Sequence, residues 1–316
     1  MMAGCGGSAP RAGLPATFGA QQSRIAPAAH RARSLLFESD GNYQTVEMFS
    51  LPDLKFQGAV AGFDYPEGLC SDTNGNVWVA NYRNVVELSH EGRVLQTLPS
   101  YRGFSASCAV DPKNGDLAVA NITGTSYAGM VLIYPHASAT ATPRIIQCAN
   151  LAQYFFVAYD PKGTLYVDGR NYSDRFQLCR GKDTQSSLSI VRVRGIVVDA
   201  PGMLQWFATG KYLVVGDLAC ATNQSCIYHV AISGDSGTVT GTTKLLDGEG
   251  APVCEFAGGV ISGGSKPSIY GGEGACSSQT ASVGRWHFPA GGAPVTTYSN
   301  PNYISQPIGA AISTRP

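Results

Sequence analysis

Pro66-Glu67-Gly68-Leu69-Cys70-Ser71-Asp72-Thr73-Asn74-Gly75-Asn76-Val77-Trp78-Val79-Ala80-Asn81 is the stretch on which the reading of this chain turns. Two short apolar runs flank a polar turn. In the turn, Asp72 can bond its own backbone and Gly75 accepts a positive φ, so the chain can reverse tightly. The pattern returns at residues 108–111, Asn114-Gly115 and residues 117–121, and again at residues 157–160, Lys162-Gly163 and residues 165–168. Two looser copies follow: residues 204–207 with Gly210 and residues 212–217, then residues 258–261 with Gly263-Gly264 and residues 268–271. The marker glycines Gly75, Gly115, Gly163, Gly210 and Gly264 lie 40, 48, 47 and 54 residues apart, near the ~40–50 residues of one four-stranded blade with variable loops.

The two ends of the chain supply a further copy in halves. Leu35-Leu36-Phe37-Glu38-Ser39-Asp40 reads as a second strand with no first strand before it, and residues 307–313 read as a first strand with nothing after it. Joined, they make one blade and close a ring, which removes exposed strand edges. Third strands are read at residues 45–49, 84–88, 130–134, 226–232 and 283–288. In the copy that begins at residue 157 the third strand is either 175–179 or 188–192. The expectation is an all-β chain: a six-bladed β-propeller of four-stranded antiparallel blades over residues 34–316, closed by the N- and C-terminal strands in one blade.

The Pro-x-Gly lead at Pro66-Glu67-Gly68, the Asp-x-x-Gly-Asn turn at residues 72–76 and the Val-x-Val-Ala-Asn strand at residues 77–81 resemble NHL-repeat propellers and their SMP-30/gluconolactonase-like neighbours. The resemblance covers residues 35–313. It implies the fold, while propellers host many unrelated activities. For SMP-30-like enzymes it implies a divalent metal held in the central mouth by acidic and Asn side chains and used in lactone hydrolysis. Glu67 matches the lead-in Glu of that pattern. The Asn and Asp partners expected on other lead-in loops are not evident, so the chain departs from the pattern there.

Strand order predicts where a ligand would sit. First strands run down a central channel and second strands run back, so loops before first strands and loops after second strands share one face. The lead-in loops offer Glu67, Ser105, Gln153, Met203, Glu255 and Gln306. The second-strand exits offer Asp40, Asn81, Asn121, Asp168, Asp217 and Glu273. A ring of such oxygens suits a hard divalent cation, calcium or magnesium. The plainer reading is that each exit Asp or Asn bonds local backbone where its strand ends. Of the histidines, His30 lies in the N-terminal segment, His90 and His136 follow third strands on the far face, and His229 and His287 lie within third strands. None is placed to activate a nucleophile at the mouth.

The 316 residues carry 22 basic and 22 acidic side chains, a net charge of zero that gives no footprint for nucleic acid. No apolar run reaches the roughly 18 residues of a membrane helix, so membrane contact is expected only through a lipid anchor. Met2-Ala3-Gly4-Cys5 resembles a lipobox with Met in the usual Leu position. Residues 1–5 are therefore read as the remnant of a lipoprotein signal, with Cys5 lipidated and the basic and apolar parts expected upstream. Residues 6–33, without an acidic side chain, read as a flexible linker.

Nine cysteines point to disulfides in an oxidising compartment. Topology suggests Cys220 with Cys226 and Cys254 with Cys276. Cys70 and Cys108 read as small buried apolar residues, and Cys148 and Cys179 have no assigned role. The functional expectation is a propeller lipoprotein of the cell envelope, or secreted, that binds a ligand or a protein without catalytic machinery. The alternative is an SMP-30-like metal-dependent hydrolase (lactonase) or lyase acting at the mouth.

Overall fold

The computed structural model describes residues 23–99, 103–122, 128–274 and 280–315. The turns fold as their chemistry requires. Asp72 Oδ1 accepts the N–H groups of Asn74 (2.9 Å) and Asn76 (2.8 Å), with Gly75 at φ +80°. Asp160 Oδ1 accepts those of Lys162 and Thr164, both at 2.8 Å, with Gly163 at φ +68°. The Asp111 turn repeats the arrangement through Lys113 N–H, with Gly115 at φ +75°.

Each turn joins the first two strands of an antiparallel meander. Pro66–Ser71, Val77–Asn81, Asn84–Leu88 and Val94–Pro99 pair in chain order (the 66–99 unit). So do the strands from Phe104–Val110 to Arg144–Cys148 (the 104–148 unit) and from Leu151–Tyr159 to Ser187–Arg194 (the 151–194 unit). Pro201–Phe207 to Ser236–Lys244 form the 201–244 unit, and Val260–Ile261 to Thr296–Tyr298 the 260–298 unit. Pro307–Thr314 pairs with Ser34–Asp40, which continues into Thr45–Ser50 and Lys55–Ala61. The last strand of the chain thus shares a terminal sheet with its first long strand. The architecture is all-β, with two 3-10 turns as the helical content of the described residues, and none of its sheets closes on itself. The third strand of the 151–194 unit is Phe176–Gly181, the first of the two ranges read from sequence.

First strands of neighbouring units lie side by side, and glycine lets their backbones meet. A Cβ on Gly68 would stand 2.7 Å from Ala106 O, and one on Gly309 would stand 2.5 Å from Glu67 O. Val157 N–H reaches Ser107 Oγ (3.2 Å), Gly258 N–H reaches Gly202 O (2.7 Å), and Ala310 N–H reaches Gly258 O (2.8 Å). Each seam between units has its own apolar filling. Trp78, Leu98, Leu117 and Tyr134 fill the one between the 66–99 and 104–148 units; Leu36, Phe49, Tyr270 and Val283 fill the one between the terminal sheet and the 260–298 unit. Removing such side chains from water supplies ~25 cal/mol per Å² of apolar surface. At the outer rim, Arg144–Cys148 pairs in parallel with Ser187–Arg194, which pairs in parallel with Ser236–Lys244, so three units merge into one 12-stranded sheet.

Two expectations need correction. The linker read over residues 6–33 gives way to packed chain before its predicted end. Arg24–Ile25 pairs with the Lys55–Ala61 strand, where only a glycine at 58 leaves room for Arg24 O, and Ala29 is buried in the core. Ile25 and Ala29 supply apolar surface that the linker reading overlooked. Cys70 and Cys108 are not free apolar fillers: they form a disulfide, Cα–Cα 5.6 Å, because adjacent first strands bring them face to face. Cys148 pairs with Cys179 and, as expected, Cys220 with Cys226. Cys254 is disulfide-bonded; Cys276 and Cys5 lie outside the described residues. These bridges point to an oxidising, extracytoplasmic environment.

Candidate functional site

On the side where second strands end and first strands begin, the exit residues share one structural task. Asp40 Oδ2 accepts the N–H groups of Ser305 (2.6 Å) and Gln306 (2.8 Å), and its Oδ1 that of Tyr43 (2.9 Å). Asn81 Oδ1 takes Asp64 N–H (2.7 Å), while its amide donates to Asn84 Oδ1 (2.7 Å). Asp168 Oδ1 takes Phe156 N–H (3.0 Å). Asp217 takes those of Asp199 (3.2 Å), Ala200 (3.0 Å) and Ala219 (3.1 Å). Asn121 is fully buried, its Oδ1 against the position a Cβ would take on Gly103. Asp40, Asn81 and Asp217 pin the segment leading into the first strand of their own unit, and Asp168 pins the irregular Tyr154–Val157 stretch within it. That is the local-backbone role that Asp and Asn take where chain direction changes.

Most of these oxygens face backbone donors. Among the described residues no cluster of three or more His, Cys, Asp or Glu side chains can hold a metal ion. Asp168 Oδ2 and Glu273 Oε2 are buried without a protein donor, and burial raises both carboxyl pKa values, Asp168's well above its ordinary range. Ser282 Oγ donates to Glu273 Oε1.

The lead-in residues behave differently. Glu67 keeps some open surface, its carboxylate has no protein hydrogen-bond donor among the described residues, and burial pushes its pKa up to about 8. Glu255 is solvent-exposed on a backbone with φ +49°, its side chain against Gly274. Gln306 accepts from Tyr65 Oη at 3.4 Å, which places it beside Glu67 through Tyr65. Burial, then the Glu67 charge, raises the Tyr65 pKa.

Sequence reading overlooked the aromatic wall around Glu67. Tyr65 and Phe104 lie 6.1 Å apart between ring centroids, Phe104 and Tyr82 4.8 Å apart edge to face, and the Arg83 guanidinium sits 5.2 Å over the Tyr82 ring. All three rings retain accessible surface. The signal was present: Tyr65 lies two residues before Glu67, Tyr82 follows Asn81 and Phe104 precedes Ser105. The mouth therefore offers one carboxyl held neutral near pH 7, three half-exposed rings and one guanidinium.

The NHL repeat family model matches residues 63–84, the stretch that carries Tyr65, Glu67, Tyr82 and Arg83. No curated protein matches the chain. Among solved structures, the chain is similar to a protein of unknown function from Bacteroides caccae, with a TM-score of 0.66 at 10% identity, over 89% of this chain and 99% of that one. At that identity the likeness speaks for the fold alone. Together they support a β-propeller with NHL-type repeat character.

Proposed function

We propose that the chain is a six-bladed β-propeller, its ring closed by Pro307–Thr314 on Ser34–Asp40, that works outside the cytoplasm as a binding protein. The succession of adjacent first strands, from Gly68 against Ala106 round to Gly309 against Glu67, supports a closed ring. In this reading residues 34–316 form the propeller, residues 1–5 carry the lipobox with Cys5 as the lipid-bearing residue, and the segment after Cys5 tethers the ring to the envelope.

Glu67 carries the functional reading. Its carboxyl has no hydrogen-bond donor among the described residues, and it stands beside Tyr65, whose ring continues into the Phe104 and Tyr82 pair. A neutral carboxyl donates a hydrogen bond, and the rings supply flat apolar contact. The pair suits a ligand with an acceptor and an apolar face. The metal-dependent hydrolase reading has weaker support, because Asp40, Asn81, Asp168 and Asp217 turn their oxygens to backbone N–H groups.

The two readings predict opposite pH behaviour. A fragment library screened by ligand-observed NMR should give hits that weaken as pH rises through about 8, where Glu67 ionises, and Glu67→Gln should remove that pH dependence. A cation site would instead strengthen with rising pH, and elemental analysis of the purified protein would show a stoichiometric metal that Glu67→Gln loses. Hits that bind equally well to wild type, Glu67→Gln and Tyr82→Ala would refute the mouth as the site.

A further inference from the structure

A groove of about 420 Å³ opens on the face opposite the mouth, between the Asp72–Asn76 turn and the Asp111–Asp116 turn of neighbouring units. It is built rather than incidental. The Cys70–Cys108 disulfide ties the first strands behind its two walls. On its floor, Glu87 is held from both sides, by Asn76 Nδ2 (2.8 Å) and Gln96 Nε2 (2.8 Å). At its rim His136 and Ala137 take consecutive left-handed conformations, φ +50° and +49°. His136 N–H on buried Asp116 Oδ1 (2.8 Å) fixes this strained pair. Non-glycine residues in that region cost of order 1–3 kcal/mol each and cluster at ligand sites.

Trp78 also forms part of the floor. The residue is 1% exposed, and its indole Nε1–H, buried, has no acceptor among the described residues. An indole N–H is a donor only, and leaving one unmatched costs free energy unless something binds there. The surroundings narrow what that is. Asp72, Glu87 and Asp111 outnumber Lys113 as charged lining groups, which disfavours an anion. Both Glu87 oxygens and Asp72 Oδ1 already accept protein N–H groups, and the indole presents a positive edge, which disfavours a cation. A ligand whose groups both donate and accept, without net charge, satisfies the set. Apolar walls are confined to Val110, Pro112, Ala137 and the indole, so side-chain anchors of a peptide have little to fill. We infer that this groove is a second binding site, separate from the mouth, for a neutral carbohydrate of one or two sugar rings, with a hydroxyl accepting from Trp78 Nε1–H.

The test uses the intact protein and a panel of neutral mono- and disaccharides. The ¹⁵N–¹H signal of the Trp78 indole should shift saturably with at least one sugar, and Trp78→Phe, which keeps an aromatic but smaller side chain and deletes the donor, should weaken binding roughly tenfold. Asn74 is an exposed groove-wall residue. Asn74→Trp fills the groove from that loop and should abolish binding, which keeps the inference decidable if Trp78→Phe does not fold. Glu67→Gln, at the mouth, should leave sugar binding unchanged, so a failure here and a failure of the mouth reading are told apart. The inference is overturned if no sugar binds saturably at millimolar concentration, if Asn74→Trp binds as wild type does, or if neutral tripeptides shift the indole signal and sugars do not.

Discussion

Where the 66–99 unit meets the 104–148 unit, Cys70 and Cys108 bridge the first strands and Trp78, Leu98, Leu117 and Tyr134 fill the space behind them. Where the 260–298 unit meets the terminal sheet, Leu36, Phe49, Tyr270 and Val283 do the filling, but Glu38 and Glu47 stand beside them. The two glutamates are direct cross-strand partners, and both are fully buried. Thr45 Oγ1 donates to Glu47 Oε1 (2.5 Å), whereas Glu47 Oε2 and both oxygens of Glu38 make no hydrogen bond of good geometry among the described residues. Burial raises both pKa values well above the ordinary range. The charge of Glu47 adds to the effect on Glu38, the Gly272 amide and Thr45 hydroxyl partly offset it, and Asp40 raises both. Of the titrating groups around the pair, Tyr298 across the seam is itself raised by burial and by Glu47. One seam thus answers to redox conditions and the other to pH.

Breaking the sulfur seam should have the largest effect. The Cys70–Cys108 bridge spans a sequence separation of 38, and the chain-entropy account gives it up to about 4 kcal/mol of stability. Cys220–Cys226 spans only 6 and should be worth about 2 kcal/mol. Urea denaturation of Cys70→Ala/Cys108→Ala and of Cys220→Ala/Cys226→Ala should therefore show the first pair losing about twice as much. Equal losses would mean that native packing, not loop closure, governs these bridges.

At the acid seam the sign is opposite to that of an ordinary salt-bridged carboxylate. The folded pKa of Glu38 lies above its unfolded value of 4.5, so its contribution is fully present below pH 4.5 and is lost as pH rises toward the folded pKa. Over that window one such group costs up to about 1.4 kcal/mol per pH unit. Glu38→Gln keeps the shape and removes the titration. It should raise the urea midpoint at pH 7, by about 1–3 kcal/mol of stability, and reduce the loss of stability between pH 6.5 and 8. A variant less stable than wild type at pH 7 would show that the pair is held by contacts that an amide cannot replace.

The Asp-x-x-Gly turns made the repeat legible, because a tight reversal constrains residue types over five positions. The split between Ser34–Asp40 and Pro307–Thr314 was legible for the same reason: each half lacked its partner. The disulfides were harder to read. Cys220 and Cys226 share a hairpin, so local spacing exposes them, whereas Cys70 and Cys108 meet only across a seam, and no periodicity within either strand reports that. The exit residues illustrate the limit at the site itself. Sequence placed Asp40, Asn81, Asp168 and Asp217 at one edge, but whether an oxygen faces a ligand or a backbone N–H depends on how the lead-in segment returns. Glu38 inside Leu35-Leu36-Phe37-Glu38 is buried because this strand has a neighbouring unit on both faces, which no pattern within the strand reports.

The smallest expected effect tests the other side of the terminal sheet, where it meets the 66–99 unit. His90 is buried there, with Nε2 at 3.0 Å from Ala32 O and Nδ1 at 2.7 Å from Ser313 Oγ, which also donates to Gly75 O. Bonding to a carbonyl makes Nε2 the protonated nitrogen, and the single Ser313 hydroxyl proton is shared between Nδ1 and Gly75 O. Burial, with Arg315 nearby, lowers the His90 pKa despite Ala32 O and Glu91, and burial lowers His229 likewise. A depressed folded pKa means stability present above pH 6.5 and lost as pH falls through the folded value. Between pH 4.5 and 6.5 the histidines and the Glu38–Glu47 pair therefore pull in opposite directions, and the wild-type profile should be nearly flat there. Removing the acids with Glu38→Gln/Glu47→Gln should uncover a decline below pH 6.5. Adding His90→Gln should then remove part of that decline, by about 1 kcal/mol or less, leaving the share of His229. An undiminished decline in the triple variant would place the acid sensitivity outside the terminal sheet.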